Sequence, residues 1–563
     1  PISVDDISAK DAKAKDKVVV EIISYPTEKY LARGVIVEVL GKAGKYATEI
    51  KSIIRQYHLP GEFDSECLKQ ARRAADRFSP EALNGRQDIT DKVIITIDPP
   101  DAKDFDDAIS IEKDADGHWV LGVHIADVSS FVTPDSPLDV EARSRGNSAY
   151  LPGRTIPMLP EILSNGICSL QPNQKRYAKS AYLTYDRDAN IISRSFANSV
   201  INSSQRLTYV QADRILKGHT KGASPEVIKL LKDMETVSRA IEKRRRNNGM
   251  LHLDLPETEL VMDKSGRVVD VRPADDSYPH TMIEMFMVEA NDAVAALLDR
   301  LNVPFMRRIH PEPDALSMKN LAKLVRAFGF TLPRNPDRKV IQDLLARVKD
   351  ADCSFAVNLA VLRSFEKAQY APLNIGHFAL ASTHYCHFTS PIRRYADLMV
   401  HRALERHLRG KSALKEQEQS LAEAGKHITF TEQRAEDAER ELTTVLTLQM
   451  LTGKIGEEID CVITGMASFG VFAQSKKYGV EGLIRMEDLG SDRWQYDAKA
   501  QCIVGERSGT NIRLGQAVKA RIVSVNVPAR QLNVAVAEPL IDTKVRKKQG
   551  KRGKKPRKTK RRK

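Results

Sequence analysis

The order of strand-like and helix-like segments is the feature of this 563-residue sequence that most constrains its fold. Short apolar segments broken by Gly and Pro open the chain and predict antiparallel strands: KVVVEIISYP (17–26), ARGVIVEVLG (32–41) and TEIKSIIRQYHLP (48–60). Similar segments return after residue 455. Between them, apolar residues recur every three or four positions, as in 279–301, which indicates long buried helices. We therefore predict a multidomain α+β protein, in which small all-β barrels flank a large mixed α/β domain.

Changes in pattern along the chain predict its domain boundaries. We divide the chain into a barrel (1–60), a polar linker (61–87), a large domain (88–410), a helical extension of that domain (411–453), a second barrel (454–537) and a Lys/Arg-rich tail (538–563). No apolar run approaches the length of a membrane span, so no membrane association is expected. The chain begins with Pro1 and opens without a secretory segment, so we expect further residues upstream.

The positive charge of the chain is concentrated at its end. The net charge is +14, and residues 544–563 contain fourteen Lys or Arg and no acidic residue. The rest of the chain is formally neutral. A run of like charges without apolar residues cannot bury a core and is expected to be disordered. A solubilising tail would have this composition, but so large a charge favours an electrostatic arm for nucleic acid.

The six cysteines are widely spaced and form no CxxC pair. This spacing argues against a disulfide framework and against a cysteine zinc site. Free, buried thiols in a reducing cytoplasm are therefore expected.

The segment IDPPDAKDFDDA (97–108) concentrates negative charge on the loop between two predicted strands. Its five carboxylates are Asp98, Asp101, Asp104, Asp106 and Asp107. Like charges so close together repel one another, and a folded protein tolerates them mainly when a cation neutralises them. Hard oxygen ligands of this kind suit Mg²⁺ or Mn²⁺, and two such ions could promote hydrolysis of a phosphodiester.

A solvated turn or a calcium-binding loop could also produce an acidic segment. Solvated acidic turns are common, but the flanking strands and the embedded Phe105 favour an ordered loop. A calcium-binding EF-hand loop would need Gly at its sixth position and Glu at its twelfth. Counted from Asp98, those positions hold Lys103 and Ile109, which excludes it. The motif predicts a metal site without identifying its reaction.

A second motif, HFTSPIRRYADLMVHR, has the features of a helix start. Ser390 is predicted as the N-cap and Pro391 as the first helical residue, which puts Arg393 and Arg394 in the first turn. Cations there oppose the helix dipole unless an anion such as phosphate binds them. Alternatively, one arginine pairs with a structural carboxylate such as Asp397. We expect at least one of the two to be functional.

The Pro- and Gly-rich stretch 145–170 is predicted to be an ordered loop. Within it, Tyr150 is a candidate for stacking on a nucleic-acid base, although a lone tyrosine is more often a packing residue. His124 lies in an apolar strand and His387 just before the predicted cap. Both are interpreted as hydrogen-bonded structural histidines rather than metal ligands or bases.

Together, IDPPDAKDFDDA, GVHIADVSSFV, SAYLPGRTIPMLPEILSNGICSL and HFTSPIRRYADLMVHR resemble the ribonuclease II superfamily, whose catalytic unit is the RNB domain. The motifs occur in the family's order over about residues 88–410. The resemblance implies processive 3′→5′ hydrolysis of RNA to nucleoside 5′-monophosphates with Mg²⁺, or with Mn²⁺ in its place. It also implies a single-stranded RNA 3′ end as substrate.

The resemblance assigns roles to individual residues. Asp98 and Asp107 match the aspartates that hold the metal, and Asp104 matches a third metal-site carboxylate. Asp106 matches the aspartate most directly tied to cleavage. The remaining matches are a stacking aromatic, an arginine on the scissile phosphate and a glutamate after the catalytic region: Tyr150, Arg393 and, within AEDAERELT, Glu439, with Glu436 as a nearby competitor. Arg394 is taken as a second RNA-binding arginine.

One position departs from the family pattern. A second clamping aromatic is usual in the segment that aligns with GMLHLDLPE (249–257), and Leu253 stands there. Leucine can pack against a base but lacks ring stacking, which is worth about 1–3 kcal/mol per base. The grip on the terminal bases is therefore expected to be looser.

The flanking barrels resemble RNA-binding modules of the same family. Residues 454–537 resemble an S1 motif, with Phe469 and Phe472 as base-stacking aromatics and Arg485 where a histidine is common. Residues 1–60 resemble a cold-shock domain, an OB barrel. An S1 motif followed by a basic tail implies degradation of structured RNA with a 3′ overhang. Association with ribosomes or RNA-decay machinery and a monomeric state are further expectations from the resemblance.

Two other functions stay open from the sequence. A non-catalytic RNA-binding or chaperone protein could keep the barrels and lose the chemistry, but the intact aspartate set argues against it. A nuclease that prefers DNA, or that cuts internally, would differ in sugar contacts that the sequence does not display.

Overall fold

The N-terminal part forms a small sheet and a helix. The computed structural model describes residues 1–6, 9–81, 83, 85–411, 418–497 and 502–538. Strands β1 (Ile2–Val4), β2 (Asp16–Ser24) and β3 (Ala32–Lys42) pair in the order β1-β3-β2, and helix α1 (Tyr46–Gln56) follows. β2 and β3 are antiparallel, whereas β1 runs parallel to β3.

The strand predicted at 48–60 is wrong, because α1 occupies most of it. Ile50 and Ile53 lie on one face of this helix and are buried against Ala438 and Leu442. A spacing of three residues fits one helical face, whereas side chains on one face of a strand are two residues apart. The buried carboxylate of Glu49 is also satisfied within this unit, by an ion pair with Lys17 and the backbone N–H of Gly44.

A seven-stranded sheet forms the centre of the molecule. The elements from the linker to the end of this sheet are α2 (Ser65–Asp76), β4 (Gln87–Asp88), β5 (Ile95–Asp98), β6 (Asp107–Lys113), β7 (Trp119–Ala126), α3 (Pro137–Arg145), β8 (Ala149–Leu151), β9 (Arg154–Ile156), β10 (Lys175–Tyr185), β11 (Ile191–Asn202) and β12 (Gln205–Thr208). The sheet order is β12-β5-β6-β7-β10-β11-β4, and β8 pairs with β9 separately. The predicted hairpin with a turn at Asp116–Gly117 is confirmed as β6–β7.

Helices follow the sheet and cover it. The remaining elements of the large domain are α4 (Tyr209–Leu216), α5 (Pro225–Asn247), β13 (Thr258–Met262), β14 (Val268–Pro273), α6 (Tyr278–Arg300), β15 (Arg307–Ile309), α7 (Ala315–Ala327), α8 (Arg338–Val348), α9 (Ser354–Ser364), β16 (Gln369–Ala371), α10 (Tyr395–Leu408) and α11 (Glu418–Leu451). The helix predicted at 279–301 is confirmed as α6, and α11 lies in the region predicted to be helical.

Both faces of the sheet are buried. Ile97, Ile109 and Val123 point to one core with α5 and α6, where Met234 and Phe286 are fully buried. The alternate residues, such as Ala108 and Ala126, point to a second core with α2, α3, α10 and α11. Side chains alternate along a strand, so a sheet covered on both sides needs apolar residues at successive positions. The segment preceding Asp98 meets this need.

The C-terminal part is a closed barrel with a small added sheet. Its strands are β17 (Glu458–Ala467), β18 (Gly470–Ser475), β19 (Glu481–Arg485), β20 (Trp494–Asp497), β21 (Cys502–Gly505), β22 (Asn511–Arg513), β23 (Ala517–Asn526) and β24 (Gln531–Val536). The barrel order is β17-β18-β19-β24-β23, which confirms the predicted second barrel, and β20–β22 form the added sheet.

Three further expectations concern the cysteines, membrane spans and the tail. All six cysteines lie among the described residues and are free, as predicted. No helix in the described ranges is both long and apolar enough to cross a membrane. The basic tail from 544 onward lies outside the described residues, so its predicted disorder stays a prediction.

Candidate active site

The acidic loop connects two neighbouring strands of the central sheet. Asp98 is the last residue of β5 and Asp107 the first of β6, and these strands pair through Ile95 and Ile109. The two ends of the loop therefore lie side by side. Burial of the apolar residues on both strands carries the adjoining carboxylates into the protein, so that Asp98 and Asp106 are almost fully buried.

Asp106 occupies the most constrained position in the loop. Its Oδ1 accepts a hydrogen bond from the backbone N–H of Ile392 at 2.9 Å, and its Oδ2 lies 3.5 Å from Nε of Arg393. Burial raises the pKa of this carboxyl well above its ordinary value, although Arg393 and the Ile392 N–H oppose the rise. Its Oδ2 is buried and has no hydrogen-bond partner in the described part of the chain. One carboxylate oxygen is thus fixed by a hydrogen bond, and the other has, among the described residues, only the 3.5 Å contact with Arg393, which leaves it able to bind a cation.

Asp98 and Asp107 are also perturbed by their surroundings. Burial, followed by the charge of Asp107, raises the pKa of Asp98 to about 8. Burial raises the pKa of Asp107 to about 6, against the opposing charges of Arg393 and Arg394. Oδ2 of Asp98 is a second buried oxygen without a hydrogen-bond partner among the described residues. Buried carboxylates with unsatisfied oxygens and few compensating charges fit a divalent cation.

Asp104 lies at the more open side of the cluster. Its Oδ2 accepts a hydrogen bond from the hydroxyl of Tyr150 at 2.8 Å. Burial and the adjacent carboxylate raise the pKa of the Tyr150 hydroxyl, which therefore stays protonated as the donor. Asp101, the fifth acidic residue, is exposed on the loop. The structure thus brings Asp98, Asp104 and Asp106–Asp107 together with Tyr150 and Arg393.

The four site aspartates do not form a tight single-ion cage. In the described ranges, three potential ligand atoms lie within 4.8 Å of one another only at Asp114, Asp116 and His118, in the turn of the β6–β7 hairpin. At that turn, Asp114 accepts hydrogen bonds from the backbone N–H groups of Asp116 and His118. The turn itself therefore explains why these three side chains lie close together. The wider spacing of the site aspartates suits ions that also bind a substrate.

The predicted helix start at Ser390 is wrong. Residues 391–393 form a turn, Arg394 is extended and bridges to Asn147, and α10 begins at Tyr395. The backbone explains the delay, because the N–H of Ser148 donates to Arg393 O and the N–H of Tyr395 donates to Gly146 O. These long-range pairings replace the first helical turn. Arg393 consequently stands on an irregular segment that also presents the Ile392 N–H to Asp106.

The two arginines of this turn have different environments. Arg394 donates from Nε and Nη2 to the two carboxylate oxygens of Asp397, at 2.9 and 2.8 Å. Asp397 is fully buried and also accepts from the Ser390 N–H at 2.7 Å. Arg394 thus forms the structural ion pair with Asp397 that the sequence offered as the alternative. Arg393 is about half exposed, with 45% of its side chain accessible, and its Nε lies 3.5 Å from Oδ2 of Asp106.

Glu439 lies on α11, next to the strand that carries Tyr150. Ala438, its neighbour, packs with Ala149 and Leu151 of β8. Burial and the charge of Glu436 raise the pKa of Glu439. Glu436 is held by Arg440 at 2.6 Å and Lys367 at 3.3 Å. No described residue forms a comparable ion pair with Glu439, which makes Glu439 the better candidate of the two.

The remaining candidates are placed outside this cluster. Leu253 is partly buried against the apolar core of α7–α9. His124 is fully buried between Ser110 and Ser180, and His387 hydrogen-bonds to Tyr370. Burial lowers the pKa of both histidines. They are neutral structural histidines, as the sequence predicted.

The C-terminal barrel presents its two phenylalanines together. Phe469 precedes β18 and is 57% exposed, and its ring centroid lies 6.0 Å from that of Phe472 in an edge-to-face arrangement. A Cβ atom on the intervening Gly470 would lie 2.3 Å from the carbonyl oxygen of Ile484. Glycine therefore permits the close approach of β18 and β19 next to this aromatic pair. Arg485 lies opposite Gly470 on β19.

Sequence reasoning missed three residues around the acidic loop. Arg206 donates to the carbonyls of Pro99 and Pro100, and Ser169 hydrogen-bonds to the backbone of Lys103 and Phe105. Tyr209 stacks on His280 with ring centroids 3.7 Å apart, and burial and the charges of Asp107 and Asp98 raise its pKa. All three lie outside the acidic motif, and only the sheet pairing of β12 with β5 could have pointed to Arg206 and Tyr209.

Three features define the class of protein: the central sheet, the helices that cover it, and the cluster of buried aspartates that faces Arg393. Residues 86–410 match the family model of the RNB domain, and residues 1–64 match that of the Cold shock domain. The chain therefore belongs to the RNB domain family, whose exoribonucleases are generally metal-dependent.

Individual relatives and solved structures show more specifically which members of the family the chain is similar to. Ribonuclease R of Aquifex aeolicus is 36% identical over 548 residues, which cover 95% of this chain and 77% of the relative. Ribonuclease R of Escherichia coli is 32% identical over 533 residues, 92% of this chain and 66% of the relative. The structure of Mycoplasma genitalium RNase R in complex with ribose-methylated single-stranded RNA has a TM-score of 0.87 at 29% identity, and the match covers 95% of this chain and 85% of that one.

A more distant structure has the same fold. Yeast Ssd1, described as a pseudonuclease, matches with a TM-score of 0.71 at 20% identity, over 88% of this chain and 63% of that one. This match concerns the fold alone.

Proposed function

We propose that this chain is a 3′→5′ exoribonuclease that processively hydrolyses RNA to nucleoside 5′-monophosphates. One observation carries the proposal. Two buried carboxylate oxygens without hydrogen-bond partners among the described residues, on Asp98 and Asp106, lie in a cluster that faces the half-exposed Arg393. A carboxylate cluster and a cation at one opening match the needs of phosphodiester hydrolysis.

We assign the metal site to Asp98, Asp104, Asp106 and Asp107. When bound there, a pair of Mg²⁺ ions, or Mn²⁺ in their place, would supply an activated water and neutralise charge on the phosphodiester. The protein contributes the fixed orientation of the carboxylates. Asp106 is held by the Ile392 N–H, and Asp104 by the Tyr150 hydroxyl. Glu439 is proposed as an additional carboxylate of the site.

The substrate's terminal phosphate and base would contact two further residues. Arg393 would stabilise negative charge on the phosphoryl oxygens, because its side chain is accessible and is not consumed by a strong ion pair. Tyr150 would stack on the 3′-terminal base while its hydroxyl stays on Asp104. A single hydrogen bond thus couples the base-binding ring to the metal-binding carboxylate. Leu253 would give an aliphatic contact where the family usually has a ring.

RNA, in single-stranded or structured form with a 3′ overhang, is the proposed substrate. The support comes from Mycoplasma genitalium RNase R, whose structures are described as complexes with single-stranded and with double-stranded RNA. The pair formed by the exposed Phe469 and the half-buried Phe472 would add base stacking, and the basic tail would add charge attraction. We further propose that the chain acts as a monomer in the cytoplasm, in association with ribosomes or RNA-decay machinery.

A non-catalytic RNA-binding protein is the alternative. Yeast Ssd1, described as a pseudonuclease, shares this fold, so the fold alone does not distinguish the two functions. The aspartates of this chain disfavour it, because Asp98 and Asp106 each keep a buried oxygen without a hydrogen-bond partner among the described residues, which is costly unless a cation binds there.

The test uses a 3′-tailed RNA and a DNA of the same sequence. Each is incubated with the full chain in Mg²⁺ or in EDTA, and with Asp106→Asn. The proposal predicts mononucleotides from RNA only, in Mg²⁺ only, with retained RNA binding and more than about 100-fold loss of cleavage in the variant, since even groups that only orient metal ligands typically contribute about 10–100-fold. Asp101→Asn is the matched control, because Asp101 is exposed on the same loop. Intact RNA would favour the binding protein, and internal fragments without mononucleotides would refute an exonuclease.

A further inference from the structure

The acidic loop is held by side chains from outside its own sequence. Arg206, on β12, donates from Nη2 to the backbone carbonyls of both Pro99 and Pro100, at 3.0 Å in the second case. Its guanidinium also lies over the ring of Phe105, 5.3 Å from the centroid. One side chain therefore touches the beginning of the loop, next to Asp98, and its far end, next to Asp104 and Asp106.

The sheet fixes where Arg206 stands. β12 runs parallel to β5, so that Arg206 pairs with Thr96 and Thr208 with Asp98. The arginine thus comes from the strand adjacent to the one that ends in the metal-site aspartate. Its partners are carbonyl oxygens and a ring, and it forms no ion pair with a carboxylate in the part of the chain that the structure describes. It opposes the mutual repulsion of the aspartates beside it.

Ser169 holds the second half of the loop. Its hydroxyl donates to Lys103 O at 2.7 Å and accepts from the Phe105 N–H at 3.1 Å. The N–H of Leu170 adds a bond to Phe105 O at 3.0 Å. Ser169 is fully buried, and its own carbonyl accepts from Nε of Arg176. The backbone on either side of Asp104 is thus anchored to a rigid interior.

We infer that Arg206 and Ser169 are positioning residues that set the distance between Asp98 and the group formed by Asp104, Asp106 and Asp107. Arg206 acts on both halves of the loop and Ser169 on the second half. Neither is required to touch substrate or metal. Without them, the carboxylates would move apart under their own repulsion. Part of the free energy of metal binding would then be used to bring them together again, so the metal would bind more weakly. This inference rests on the proposed function of the aspartates.

The test measures metal binding directly. The full chain, Arg206→Lys, Arg206→Ala and Ser169→Ala are titrated with Mn²⁺, and free Mn²⁺ is read from its electron paramagnetic resonance signal. Arg194→Gln is the matched control, because Arg194 is an exposed arginine on the same sheet. We expect Mn²⁺ binding to weaken by about 10- to 100-fold in the Arg206 and Ser169 variants, the range typical of groups that orient metal ligands, and to be unchanged in the control.

Three further measurements separate positioning from general loss of fold. RNA affinity in EDTA and the thermal midpoint in EDTA should match the parent for Arg206→Lys, and millimolar guanidinium should restore Mn²⁺ binding to Arg206→Ala. Parental Mn²⁺ affinity in all the variants, with the parent binding Mn²⁺ and cleaving RNA, would overturn the inference and leave the proposed function intact. A parent that fails to bind Mn²⁺ would overturn both.

Discussion

The hydroxyl of Tyr150 donates a hydrogen bond to Oδ2 of Asp104 at 2.8 Å, which links a base-stacking candidate to the proposed metal site. Tyr150 lies on β8 and Asp104 on the loop between β5 and β6, 46 residues earlier in the chain. The same tyrosine can therefore present its ring to a nucleotide and its hydroxyl to a carboxylate. If Tyr150 stacks on the terminal base as proposed, this contact couples base binding to the orientation of the Asp104 carboxylate.

Substitutions of Tyr150 should separate the contribution of its ring to RNA binding from the contribution of its hydroxyl to the orientation of Asp104. Tyr150→Phe keeps the ring, so RNA affinity in EDTA should stay near the parental value, while the Mg²⁺ concentration for half-maximal cleavage should rise as Asp104 loses its donor. Tyr150→Ala should also weaken RNA binding by the stacking contribution, about 1–3 kcal/mol. Fluorescence anisotropy in EDTA and Mg²⁺ titrations of cleavage measure the two effects. Equal losses of RNA affinity in both variants would contradict the assignment.

The two neighbouring arginines should give opposite phenotypes. Arg393→Gln should lower cleavage by about 10²–10³-fold, as expected for a lost stabilising contact on a developing charge, with little change in the thermal midpoint. Arg394→Gln leaves the buried Asp397 without its ion-pair partner, which should cost about 3–5 kcal/mol of folding stability. Urea unfolding and single-turnover cleavage measure both. A destabilised Arg393 variant with a stable Arg394 variant would reverse the roles.

Metal-free protein should lose stability as pH rises. The pKa of Asp98 is raised to about 8 and that of Asp107 to about 6, whereas an unfolded aspartate titrates near about 3.9. The native state therefore binds more protons than the unfolded state in this window. By linkage, the contribution of these two groups to the free energy of unfolding is largest below about pH 4 and declines as the pH rises toward 8.

Bound metal should reverse this pH dependence, because it takes the place of the protons. Mg²⁺ is expected to stabilise the protein more at pH 8.5 than at pH 6. Urea unfolding at both pH values, with Mg²⁺ or EDTA, measures the effect. Asp98→Asn should show a flatter pH dependence in EDTA, and a slope equal to that of the parent would contradict the prediction.

The aromatic pair of the C-terminal barrel should contribute to binding and not to chemistry. Phe469→Ala should weaken RNA affinity by about 1–3 kcal/mol and leave the cleavage rate on saturating RNA unchanged. Phe430→Ala is the control, because Phe430 is equally exposed, at 59%, on α11. Anisotropy and single-turnover kinetics measure the two quantities. A slower rate at saturation would place Phe469 in the catalytic step.

Deleting residues 544–563 should weaken RNA binding and flatten its dependence on salt. The segment carries fourteen positive charges, and each phosphate contact contributes to the slope of affinity against salt concentration. Binding of one RNA is measured across a salt series with both forms of the chain. Identical slopes would show that the tail is not an electrostatic arm.

The wrong expectations share a physical origin. The segment at 48–60 is rich in isoleucine, which favours strands, but burial of Ile50 and Ile53, three positions apart, against α11 selects the helix. Ser390 and Pro391 are good residues for a helix start, yet the pairing of Arg393 and Tyr395 with residues 146–148 delays the helix. In both cases a contact distant in sequence outweighs a local preference.

The sequence by itself determined the acidic cluster and its chemical preference, because five carboxylates within ten residues repel one another wherever they lie. It also determined the strands on either side of that cluster, the long helix α6 and the C-terminal barrel, since these depend on local apolar periodicity. Only the tertiary structure decided which oxygen of Asp106 is fixed, that Arg394 is consumed by Asp397, and that Arg206 and Ser169 hold the loop. Those relationships join residues that are far apart in sequence, so their geometry exists only once the sheet has formed.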